Sequence, residues 1–322
     1  LFKPRNSLGN TGGQFYVAKN PTYGAVFTYH LKDVPKTSKS KRIQSERKLN
    51  SDKKDVPFPG YKALSDEMNE KPASIILTIK DSNGNLINNV KKNASNGSGR
   101  IAWNLRHKSY YPIRSGSFRG GWGWSPSGPY ATPGDYQAEL FLENNGSIEK
   151  LDGPINFSVK PLRESTLKGA SYDEYNRFRE RVSGLFINIS KYEDVFSIIG
   201  NKIQLLEKAS MQLESFSPDI IAKISDFKDR YNDYEYENDS SPARDEIGEW
   251  YKPNLGARIR IAMQGLSTSY GPTELNSSNL EIAEKHFEKM KNEVEQLNKE
   301  VKDLENEVKQ LNPPYIIGQG ID

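Results

Sequence analysis

A chain of 322 residues with 45 Lys and Arg against 42 Asp and Glu has a formal net charge of only +3, too even a balance for the positive field that nucleic-acid binding requires. It has no Cys, which excludes disulfides, thiolate metal sites and thiol nucleophiles but leaves the compartment open. No apolar run reaches the ~18 residues of a membrane-crossing helix. Beginning Leu1-Phe2-Lys3-Pro4-Arg5, with neither an initiator Met nor a signal-peptide pattern, the chain reads as a fragment or a processed product.

The length is near twice that of an ordinary domain, and the composition changes midway. This predicts a β-rich domain over 1–162 and a helical domain over 163–322. In the first, Ala25, Phe27, Tyr29 and Leu31 alternate with Val26, Thr28 and His30, the period-2 pattern of a strand with one buried face. A second strand runs Ser74 to Lys80 with Ile75, Leu77 and Ile79 inward. Asp81-Ser82-Asn83-Gly84-Asn85 turns it into a partner from Leu86. After an Asn96-Gly97-Ser98-Gly99 turn comes Arg100 to Arg106; Tyr136 to Leu142 and Ile155 to Val159 complete the set. Short strands with such turns predict an immunoglobulin-like or fibronectin-III-like β-sandwich, with Phe27, Tyr29, Ile75, Leu77, Ile79, Ile101, Trp103, Leu140 and the strand beginning at Ile155 in its core.

Two insertions interrupt that pattern. The basic one, 33–72, has eight Lys or Arg between 33 and 54 against three acids. It reads first as a solvated flexible loop and second as a contact for an acidic partner or an anionic membrane. The other, 107–131, holds Tyr110, Tyr111, Arg114, Phe118, Arg119, Trp122, Trp124 and Tyr130 among glycines. Aromatic rings with Arg suit an interaction surface, because rigid rings supply contact area at low entropy cost. The competing reading folds these rings back onto the sandwich or the helices.

The second domain opens at Ser171-Tyr172-Asp173-Glu174, a capping box. Tyr175, Phe178, Val182, Leu185 and Ile189 begin a seam that continues through Tyr192, Phe196, Ile199, Ile203 and Leu206, predicting a long helix near 171–215. Ser217-Pro218 starts another helix, a short one is expected over Ala243 to Tyr251, and Leu255, Ile259, Ala262 and Leu266 mark a further one. The last, near 278–312 and expected to be capped at Ser278, has the seam Leu280, Ala283, Phe287, Met290, Val294, Leu297, Val301, Leu304, Val308 and Leu311. Pairing within the chain gains effective concentration, so the expectation is a monomer with two long antiparallel helices and the shorter ones alongside.

Chemistry is sparse. Only His30, His107 and His286 are available as imidazole bases or ligands, none with a metal-ligand neighbour at helical spacing, and Asp81 to Asn85 lacks the rest of a calcium loop. No phosphate loop, nucleophile elbow or zinc-protease motif occurs. The expectation is no catalytic residue, no cofactor and no metal.

The order D-S-N-G-N (81–85), G-R-I-A-W-N-L-R (99–106) and T-P-G-D-Y-Q-A-E-L (132–140) resembles the Ig-like domain of flagellar hook-capping proteins. Together with Leu1 to Arg5, Asn20 to Tyr29 and Lys160 to Arg163, it is similar to the region that follows the β-propeller in bacterial proteins with sortilin-type or sialidase-type repeats, often labelled glycosyl hydrolases. The resemblance implies an extracytoplasmic protein, outer membrane-associated, periplasmic or secreted. It also implies a scaffold or interaction role beside an upstream propeller or within a protein complex. A carbohydrate-binding appendage that stacks a glycan on the aromatic loop is the alternative. No aspartate-box repeat is present, so the hydrolase label transfers to no residue.

Overall fold

The structure, a computed structural model, describes residues 21–113, 127–163, 166, 168–238, 246–249, 252–268, 270–316 and 318. Among these are two small antiparallel sheets and six helices, which cluster into two compact units. One unit extends to Arg106 and adds Asp135–Ser158; the other takes His107–Gly134 and Val159–Asp322. The segment expected as an aromatic loop of the first domain therefore belongs with the helices.

In the first unit β1 (Ala25–Leu31) pairs with β4 (Gly97–Trp103), and a second sheet has the order β3 (Leu86–Asn93), β2 (Ser74–Asp81), β5 (Gly134–Asn144), β6 (Ser147–Val159). β2 is flanked on both edges, which is why Ile75, Leu77 and Ile79 are wholly buried. Gly97, Ser98 and Gly99, expected in a turn, instead pair with Leu31, His30 and Tyr29 as the start of β4. The sheets meet through rings: Phe27 and Trp103 from one, Tyr136 and Phe157 from the other, with centroids 5.2–6.0 Å apart. The strand expected to begin at Ile155 supplies Phe157 to this core, whereas Ile155 itself, on the edge strand β6, is 48% exposed.

The basic insertion is helical, not a flexible loop. Helix α1 (Ser38–Ser51) is capped by Thr37, whose side chain accepts from Ser40 N, and α2 (Tyr61–Asn69) packs back on it. Neither has a buried residue. Arg42 joins them, bridging Glu46 one turn on and Glu67 of α2 at 2.6 and 2.8 Å. An i,i+4 pair plus a fork to a second carboxylate offsets the weak helix propensity of the Ser-rich stretch.

In the helical unit α3 (Tyr172–Ser210) has the Ser171/Glu174 capping box, and α4 (Pro218–Asn238) follows the Ser217-Pro218 start. Next come α5 (Leu255–Gln264), capped by Asn254, and α6 (Glu274–Lys309). Thr273 and Asn276 form a capping box that opens α6 four residues before the expected Ser278. Of the short helix expected over Ala243 to Tyr251, only residues 246–249 are described, and of these only Glu246 is helical.

The long helices are parallel, not antiparallel as expected. Arg181 to Glu284, Tyr192 to Glu295 and Lys202 to Glu305 each join α3 to α6 at a constant separation of 103 residues. The return leg between them is split. α4 runs antiparallel beside the C-terminal halves, with Lys223 on Glu307, Arg230 on Glu300 and Lys228 on Glu207. α5 runs antiparallel beside the start of α6, with Arg258 on Asn279 and Asn276 on the Ile261 carbonyl. Two descending pieces bring the chain back to the level where α3 began, and α6 must then ascend in the same direction.

Of the twenty named seam residues, seventeen are buried, among them Tyr175, Phe178, Val182, Leu185 and Ile189 of α3 and Val294, Leu297, Val301, Leu304 and Val308 of α6, while Tyr192, Phe196 and Leu311 are partly buried against the same core. Each fully covered aliphatic side chain contributes about 1.5–3 kcal/mol of transfer free energy.

Candidate interaction surface

The expected contact surface begins where β4 ends. His107 N donates to the Pro129 carbonyl at 2.9 Å, so residues 107–108 and 128–129 run side by side. A Cβ at Gly128 would lie 2.3 and 2.4 Å from the His107 and Lys108 carbonyl oxygens, so only glycine allows this approach.

Both legs are tied to one stripe of α3. Tyr175 Oη donates to the Leu266 carbonyl at 3.0 Å and lies 3.5 Å from the Tyr130 carbonyl. Asn176 reaches the Thr132 hydroxyl, Arg179 donates to His107 Nε2, and Phe186 takes the edges of Tyr110 and Tyr111, with centroids 5.3 and 4.9 Å away. The two tyrosines stack on each other at 5.3 Å. A guanidinium has no acceptor, so His107 Nε2 must offer its lone pair, which places the neutral imidazole's proton on Nδ1. Burial pushes the Tyr111 hydroxyl above its ordinary pKa.

Of the eight surface residues named from sequence, Tyr110 and Tyr111 are thus half-buried against α3, and Tyr130 is 38% exposed with its carbonyl toward Tyr175. Arg114, Phe118, Arg119, Trp122 and Trp124 lie outside the described residues. Sequence reasoning missed Arg179 and Phe186. Their signal was a second stripe one position beyond the seam residues Phe178 and Leu185, which widens the contact face of α3 beyond a two-helix seam.

The carboxylate of Asp81 is occupied locally. Asp81 Oδ1 accepts from the backbone of Asn83 and Asn85, and Oδ2 from the Asn85 amide, which closes the hairpin turn. Among the described residues no three His, Asp or Glu side chains are placed to hold a metal ion. Among the described residues no helix is long and apolar enough to cross a membrane. Comparison of the chain with protein-family models, with curated proteins and with solved structures finds no match.

Proposed function

We propose that this chain is a non-catalytic scaffold and interaction region of a larger exported bacterial β-propeller protein. In this reading the first unit is an Ig- or fibronectin-III-like sandwich, and the second is a bundle of two parallel long helices with a split return leg. The observation that supports it best is the fixed base of the aromatic segment. His107, Tyr110 and Tyr111 on one leg and Tyr130 and Thr132 on the other are all held by α3. In sequence, Arg114, Phe118, Arg119, Trp122 and Trp124 lie between those legs. A contact element whose ends are fixed loses less entropy on binding, which is the advantage of preorganisation.

Two measurements test the proposal. The gene upstream of the Leu1 codon is expected to encode propeller repeats and an export signal; an upstream region without such repeats removes the scaffold context. Calorimetric titration of the chain with a panel of oligosaccharides is expected to show no saturable binding. Saturable binding lost on Trp122→Ala or Trp124→Ala would instead make the chain a carbohydrate-binding appendage.

A further inference from the structure

The α1–α2 hairpin is the part of the molecule whose surface its own fold explains least. Its one internal ionic link withdraws Arg42, Glu46 and Glu67 from solvent competition. That leaves Lys39, Lys41, Arg47, Lys48, Lys53, Lys54 and Lys62 exposed, and among the described residues none has a carboxylate within ion-pair distance. The same hairpin displays large apolar side chains. Phe58 is 64% exposed and lies edge-on to Tyr61, which is 85% exposed, and Met68 is 87% exposed one heptad further along α2. Neither helix has a buried residue, so these groups are not the margin of a core.

We infer that this hairpin docks on an anionic lipid surface, its lysines toward phosphate headgroups and Phe58, Tyr61 and Met68 in the headgroup boundary. The charge is complementary to such a surface, which attracts each nearby Lys or Arg. The choice of cation decides between a bilayer and an acidic protein. Six of the seven unpaired cations are Lys, a strongly hydrated point charge, whereas protein interfaces enrich the forked Arg and deplete Lys. Exposed aromatic rings and methionine in the same hairpin as exposed lysines are the composition of an element lying at a membrane interface. The inference stands whether or not a propeller precedes the chain.

Co-sedimentation of the full chain with vesicles tests it. Vesicles of mixed phosphatidylglycerol and phosphatidylcholine are expected to retain the protein, vesicles of phosphatidylcholine alone are not, and added salt should release it. The combined variant Lys39→Gln, Lys41→Gln, Arg47→Gln, Lys48→Gln should weaken retention at least about tenfold. These four side chains are exposed, so the variant's circular dichroism should match that of the unaltered chain. Equal binding to neutral vesicles, or retention unchanged in the variant, would overturn the inference. Salt-sensitive capture on immobilised polyglutamate without capture by anionic vesicles would also overturn it, in favour of an acidic protein partner.

Discussion

Two helix pairs in this molecule are held together by opposite means. α3 and α6 share an apolar seam along most of their length, with ionic links such as Arg181–Glu284 and Lys202–Glu305 only on its flank. The α1–α2 hairpin has no buried residue and is joined by Arg42 between two carboxylates and by the Ser38 amide on the Glu70 carboxylate. The first pair is stabilised by burial, which is additive and insensitive to salt. The second depends on a charge network that solvent screens. Two elements of the same type can therefore differ widely in how much of the fold's stability passes through them.

The largest effect should come from placing a charge in the seam. Leu297 is 5% exposed, and Leu297→Lys is expected to cost roughly 3–5 kcal/mol, because it buries an unpaired ammonium among aliphatic neighbours. Chemical denaturation measures it, and an unchanged midpoint would show that this face is not packed. Next is Gly128→Ala, whose Cβ would overlap two backbone carbonyls; the expected cost is about 1–3 kcal/mol. Hydrogen exchange should then report loss of protection at the His107 amide, and retained protection would separate the two legs.

Arg42→Ala sharpens the comparison from the other side. It should loosen α1 and α2, seen as faster exchange across 38–69, while the midpoint of global unfolding barely moves. A midpoint shift as large as that of Leu297→Lys would mean that the hairpin supports the core after all. The smallest effect is expected at Glu139. Hydrogen bonds from Lys150 and Lys80 hold its carboxyl below the usual carboxylate range. Its folded-state pKa is depressed, so its contribution is complete above the ordinary Glu pKa and disappears as pH falls through the lowered value. Glu139→Gln should therefore lower the melting temperature slightly near neutrality, and the difference should vanish in acid. A difference that persists in acid would assign the loss to packing.

The same contrast explains what could be read in advance. The seam residues were legible because an apolar residue every three or four positions has few uses other than burial. Their direction was not. A heptad pattern is identical for parallel and antiparallel partners, and the answer lay in the split return leg of α4 and α5, which no local signal encodes. The hairpin was misread because polar, lysine-rich composition is shared by helices and solvated loops. What marked it as helical were the Thr37 cap and the Arg42/Glu46 spacing, both short and individually weak signals. In the candidate surface, Tyr110 and Tyr111 could be read either as a contact surface or as rings folded back onto the sandwich or the helices. That they meet Phe186 on α3 depends on a tertiary placement absent from their own neighbourhood.

The constant separation of 103 residues between partners on α3 and α6 also sets the order of assembly. Closing a loop of that size costs about 4 kcal/mol of chain entropy, whereas α4 follows α3 after a short link and can pair with it locally. α3 and α4 therefore form the template on which α6 docks. During synthesis α6 emerges last, and until it does, Val182, Leu185 and Ile189 present a bare apolar row to the surrounding solution. A nascent chain halted before Glu274 is in the state most exposed to wrong partners, and chaperone capture or aggregation competes there with completion of the fold.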